Sequence, residues 1–209
     1  MAAPEGKAGG ALRLVPIPNP VRPELVEGKS LFHLIPHPDT PPQAKLSLSV
    51  EVHPAPAGQS GLGLRYILRG DLDSVVLPPA QSPQRGHELW LHTCFEAFVR
   101  VPGEDDYLEF NFAPSCQWAM YRLSGYREGL AEVHKLPEPQ ISVSRSDDSV
   151  ILAAHIHPNL SRGAMLALTA VTEEVDGTKS YWSLRHPPGK PDFHHPDCFA
   201  LMLEAPQGA

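Results

Sequence analysis

The chain contains no run of 18 apolar residues, so nothing in it reads as a membrane-spanning helix. It has no excess of basic residues either: 17 Lys and Arg stand against 24 Asp and Glu, a formal net charge of −7. That leaves no basic footprint for nucleic acid or an anionic membrane surface, and neither partner is expected. Cysteine is scarce. Cys94, Cys116 and Cys198 are odd in number and far apart, match no CxxC metal or redox spacing, and point to reduced thiols in a cytoplasmic protein. Residues 1–10 carry one Lys and lead into no long apolar stretch, so a secretory signal is not expected. Catalytic signatures are missing as well. There is no GxSxG elbow, no HExxH, no phosphate-cradling glycine-rich loop and no HxE…CxxC set, and the chain is not expected to be an enzyme.

Proline and glycine are plentiful. With 24 prolines and 16 glycines in 209 residues, but an ordinary 42% of hydrophobic residues, many short elements joined by turns are expected, and strands suit that better than helices. Residues 1–44 read as an irregular, Pro-rich N-terminal arm, with Pro36, Pro38, Pro41 and Pro42 crowding its end. Within it, the stretch 19–29 resembles a short translated repeat element scattered through unrelated bacterial proteins. Residues 45–209 read as one domain.

Period-two alternation supports that domain. Leu46, Leu48, Val50 and Val52 alternate with Ser47, Ser49 and Glu51, and Leu62, Leu64, Tyr66 and Leu68 repeat the pattern. From His87 to Arg100 a long strand is predicted, with Leu89, Leu91, Phe95, Ala97 and Val99 on the core face. Trp90, His92, Cys94, Glu96 and Phe98 then lie opposite. Tyr107 to Phe112 alternates again, with Leu108, Phe110 and Phe112 inward. Further strands are expected at 118–123, 140–144, 150–156, 164–172, 180–184 and 199–203. The fold class is therefore all-β: a two-sheet antiparallel β-sandwich of about nine to eleven strands with Greek-key or jelly-roll connections.

The face opposite the core is the unusual one. One strand offers Trp90, His92 and Glu96 there, and the next offers Tyr107, Glu109 and Asn111. If those strands pair, aromatic rings, two carboxylates and an amide share one surface, which is the inventory a polyol requires. A flat ring stacks on CH-rich sugar faces while carboxylate and amide bond the hydroxyls.

The motifs 88–98 (ELWLHTCFEAF), 107–121 (YLEFNFAPSCQWAMY), 180–187 (SYWSLRHP) and 191–194 (PDFH) resemble the DOMON-like domain family over roughly residues 45–204. Within it they resemble the bacterial branch near carbohydrate-binding module family 9. The resemblance implies a β-sandwich that binds sugar or haem. By the same resemblance, Trp90 with Glu96 six residues on matches one wall of a sugar clamp, and Trp182 is the expected second wall. The expected ligand-binding set is thus Trp90, Glu96, Glu109, Asn111 and Trp182, in a non-catalytic domain for a carbohydrate or sugar-derived metabolite.

Two alternatives come from other classes. A haem-binding redox domain would need axial ligands from Met120, Met165 or Met202 with His92, His155 or His157, whose spacing singles out no pair; no cofactor is the primary expectation. A protein-interaction module would use the exposed aromatics as hot spots. His186, Asp192, His194 and His195, or the pair His155 and His157, could supply metal ligands, but a rigid loop with structural hydrogen bonds accounts for the first group, and no metal is expected. Glu104, Asp105 and Asp106 could bind calcium in a loop. Glu96 and Glu109 could also form a glycosidase pair if suitably separated.

Overall fold

The structure, a computed structural model, describes residues 14–15, 24–26, 29–54 and 61–204. In chain order the strands are β1 (Leu14–Val15), β2 (Glu24–Val26), β3 (Lys29–Pro36), β4 (Leu46–Pro54), β5 (Leu62–Gly70), β6 (Gln84–Arg85), β7 (Cys94–Arg100) and β8 (Tyr107–Phe112). They continue as β9 (Gln117–Leu123), β10 (Ala131–Glu132), β11 (Gln140–Arg145), β12 (Ser149–Ile156), β13 (Ala164–Glu173), β14 (Lys179–Ser183) and β15 (Leu201–Leu203). Helical structure among the described residues is confined to short 3-10 turns, one of them at Leu89–Leu91. Of the strands not expected from the sequence, β1, β2, β6 and β10 are each two or three residues long, and β3 has eight residues.

The strands follow one curled path, β10-β9-β8-β7-β13-β14-β3-β4-β5-β12-β11. It folds into two layers at the junction of β14 with β3, where only Trp182 and Ser183 pair with Pro36 and Ile35. Pairing is antiparallel except for the two-residue contact of β6 with β9. The neighbours β7·β13 and β5·β12 are distant in sequence, so the chain crosses between layers in the manner of a Greek key. At the β13–β14 turn, Gly177 takes φ +88°, a region open to glycine at no steric cost.

Alternation decides what fills the space between the layers. Leu48, Val50 and Val52 of β4, Leu62, Leu64, Tyr66 and Leu68 of β5, and Val150, Leu152 and Ile156 of β12 face inward from one layer. Phe95, Ala97 and Val99 of β7 and Phe110 and Phe112 of β8 meet them from the other. The Tyr66 hydroxyl is buried there and donates to the carbonyl of Glu96 at 2.6 Å, so the phenol is satisfied within the core.

Two expectations need correction. The arm does not extend to residue 44: β3 lies between β14 and β4, and its Phe32 and Leu34 are buried in the core. Its short apolar alternation is flanked by prolines, which mask it in the sequence, and its pairing with β4 is what makes it a strand. Of the repeat-like stretch 19–29, residues 24–26 and 29 pair as β2 and the start of β3, and the rest lies outside the described residues. The strand predicted from His87 begins only at Cys94. Before it, Leu89–Leu91 forms a 3-10 turn that Glu88 enters with φ +51°. Leu89 therefore packs on the outer face of the sheet, and Leu91 is exposed.

Candidate functional site

Strands β7, β8 and β13 are buried on both faces, which a solvated sandwich face would not be. Their outer side carries a second apolar cluster, with Phe98, Tyr107, Val171, Phe193 and Phe199 among its members. The 3-10 turn at Leu89–Leu91 and the segment running from His186 to Phe199 cover that side from two edges. Between them a cleft of ≈ 600 Å³ remains.

The register builds its floor. Glu96 on β7 pairs with Asn111 on β8 and with Thr169 on β13, while Glu109 lies two residues along β8 opposite Phe98. Strand period two aims all four polar side chains outward. Glu96 is 2% exposed, Glu109 5% and Asn111 0%. Thr169 Oγ1 donates to Glu96 Oε2 at 3.0 Å, and Asn111 Nδ2 donates to Glu109 Oε1 at 2.8 Å. The Cys94 thiol is directed at Asn111 Oδ1, 3.7 Å away. Glu96 and Glu109 line the cleft, whereas Asn111 stands behind them as a support.

Burial, reinforced by the neighbouring Glu109 charge, pushes the Glu96 carboxyl up to about 8. Burial also raises Glu109, against the lowering influence of the Asn111 hydrogen bond and the Arg127 charge. Desolvation and like-charge repulsion thus leave the floor holding a proton near neutrality.

Aromatic side chains form the walls. Trp90 projects from the 3-10 turn and lies edge-on to Tyr121 with ring centroids 5.5 Å apart. Tyr181 on β14 enters from the other side and packs against Phe193 at 5.9 Å. Asp192 ties the covering segment down. It accepts from Arg127 Nη2 at 2.8 Å, from Arg127 Nε at 3.2 Å, from the Tyr126 hydroxyl and from the His194 backbone N–H. His194 shares a 2.7 Å hydrogen bond with the Tyr107 hydroxyl, and burial with the nearby Arg127 charge pushes its imidazole down to about 4. The turn bearing Trp90 is held by Lys179, whose ammonium donates to the Leu91 carbonyl, and by His92 against Glu173 at 2.6 Å.

Trp182 is not a cleft wall. It is 2% exposed, lies in the core between the layers, and donates from Nε1 to Thr172 Oγ1 at 2.9 Å. Its neighbour Tyr181 has the opposite facing and takes the place expected of it, a one-residue shift that period two turns into a change of face. Tyr181, Arg127, Phe193 and Lys179 were not anticipated. The alternation of Lys179 and Tyr181 with Ser180 and Trp182 was the available signal for two of them.

The histidine-rich loop is occupied by structural bonds. His186 Nε2 meets the Ile35 carbonyl at 2.9 Å, and His195 Nδ1 accepts from the Asp197 N–H at 3.2 Å. Among the described residues no group of three or more His, Cys, Asp or Glu side chains is set to hold a metal ion. In the acidic turn Glu104 pairs with Arg162 and Asp106 with Arg122. The residues named for haem ligation are scattered: Met120 is in the inter-layer core, and His155 packs against His157 at 4.4 Å away from the cleft.

Fold and cleft together define an all-β sandwich with a ligand-sized, aromatic-walled site on the outer face of one sheet. Among solved structures, the chain is similar to a "putative carbohydrate-binding protein" of Bacteroides uniformis, at 17% identity and a TM-score of 0.61, over 84% of this chain and 86% of that one. Weaker likeness extends to a family 9 carbohydrate binding module of Caldicellulosiruptor kristjanssonii in complex with cellotriose, at 9% identity and TM-score 0.44, over 81% and 80% of the two chains. The glucose complex of such a module from the same organism aligns at 10% identity and TM-score 0.38, over 71% of each chain. No protein-family model matches the chain, and no curated protein does.

Proposed function

We propose that this chain is a non-catalytic binding domain whose cleft holds a carbohydrate or a sugar-derived metabolite. The observation that carries the reading is the placement of Glu96 and Glu109, both buried, on the floor of a ≈ 600 Å³ cleft walled by Trp90 and Tyr181. A sugar has CH-rich faces for the rings and a hydroxyl edge for the carboxylates, and the cleft has the size of a small-molecule site. A glycosidase pair flanks the scissile bond from two sides. Glu96 and Glu109 are instead diagonal neighbours on one sheet surface, which suits gripping a ligand edge.

The description of the Bacteroides uniformis protein, which shares the fold, supports the same reading. Placement among DOMON-like domains rests on the motifs at 88–98, 107–121, 180–187 and 191–194. A cytoplasmic location rests on three cysteines that are all buried and unpaired.

Calorimetric titration of a panel of mono- and disaccharides into the wild type and Trp90→Ala tests it. At least one sugar should bind the wild type. The variant should melt nearly as the wild type does and lose about ten- to hundredfold in affinity, from about 1–3 kcal/mol of stacking. Silence across the panel, or unchanged affinity in the variant, would refute the proposal.

A further inference from the structure

The floor of the cleft is built mainly from acceptors, and apart from the proton on Glu96 its side-chain donors are already committed. Thr169 turns its O–H onto Glu96, and Asn111 turns an N–H onto Glu109. Those bonds occupy Glu96 Oε2 and Glu109 Oε1. Among the described residues Glu96 Oε1 and Glu109 Oε2 receive no hydrogen bond, and no Lys, Arg or His lies within ion-pair distance of either carboxylate. Arg127 is bonded to Asp192, and Lys179 to the Leu91 carbonyl. Two nearly inaccessible carboxylates therefore face a ligand-sized cleft with no counter-ion in direct contact, the charge of Arg127 reaching Glu109 only from its bond with Asp192.

We propose that the group seated on this floor is a protonated primary amine, which makes the ligand an amino sugar, or a similar aminated polyol, with its nitrogen unacylated. The inference rests on the carbohydrate reading above and sharpens it. A hydroxyl brings one proton and two lone pairs, and apart from the single proton that Glu96 retains the floor has no free side-chain donor to meet those lone pairs. An ammonium brings three protons and no lone pair, and so matches a surface of acceptors. It also supplies, in direct contact, the opposite charge that reaches this mutually repelling pair only at a distance from Arg127. The proton that Glu96 retains, with its carboxyl lifted to about 8, is the one a bound cation would replace. Lys179, Lys190 and Arg127 also line the cleft, and the bonds of Lys179 and Arg127 hold them at its covering segments. The ligand would then enter with its amine toward Glu96 and Glu109 and its neutral end toward those cations.

The test is titration of the whole chain with glucosamine, galactosamine and mannosamine, each beside its N-acetyl derivative and its parent hexose. At least one free amine should bind at least tenfold more tightly than both counterparts. Glu96→Gln and Glu109→Gln should each erase that preference while remaining folded by circular dichroism. Trp90→Ala should weaken amine and parent sugar by similar factors. If the N-acetyl or neutral sugars bind as well as the amines, or either Gln variant retains the preference, the amine inference falls and the sugar reading survives. If none of the nine sugars binds, the sugar reading falls and takes this inference with it.

Discussion

Glu96→Gln should make the protein more stable, by an amount that grows with pH. The Glu96 carboxyl sits near 8 in the folded chain because burial and Glu109 disfavour its charge. In the unfolded chain it returns to its ordinary value of about 4.5. Between those values the folded state binds a proton that the unfolded state has released, so stability falls as pH rises. The contribution is fully present below the unfolded value and is lost as pH climbs through the folded one. At 1.36 kcal/mol per unit, the accumulated cost is about 1 kcal/mol at pH 5, about 3 at pH 7 and about 4 at pH 8. Glutamine keeps the shape and accepts the same Thr169 hydrogen bond without carrying the proton equilibrium. The variant should therefore melt about 6–12 °C higher at pH 7, and much closer to the wild type at pH 5. Thermal unfolding of both proteins across pH 5–8 reads this directly. An unchanged or lower melting temperature, or a gain that does not vary with pH, would show that Glu96 is not held protonated by its surroundings.

The other expectations follow from placement. Trp182→Ala should cost about 3–5 kcal/mol in denaturant unfolding, since it empties core volume and strands the Thr172 hydroxyl; a variant of near wild-type stability would contradict a core role. Deletion through residue 36 should abolish the cooperative transition, because it removes Phe32 and Leu34 and unpairs β4 from β3. A truncated chain that still melts sharply would show that β3 is dispensable.

The sandwich itself was legible in the sequence because its strands alternate. Phe95, Ala97 and Val99 against Cys94, Glu96 and Phe98, and Phe110 and Phe112 against Glu109 and Asn111, have the facings that period two demands. That local rule needs no knowledge of the rest of the chain, and it was enough to put both glutamates on one side of their strands. It fails where both faces of a segment are covered. Around Trp182, either aromatic of the Tyr181–Trp182 pair could be the inward one. The choice was made by the register of β14 against β13, where Trp182 pairs with Ala170 and Tyr181 with Val171.

The segment 87–93 failed for a related reason. Its alternation continues that of β7, yet the chain turns at Glu88 so that Leu89 can bury itself on the outer face and Trp90 can form a wall. Strand β3, hidden among prolines, became a strand through hydrogen bonds to residues 48–52. Facing along a strand is a property of neighbouring residues, so the sequence by itself determined it. The layer that a strand joins, the face that is covered twice, and the Asp192 tether that closes the cleft depend on contacts between distant parts of the chain. Only the tertiary structure decided those.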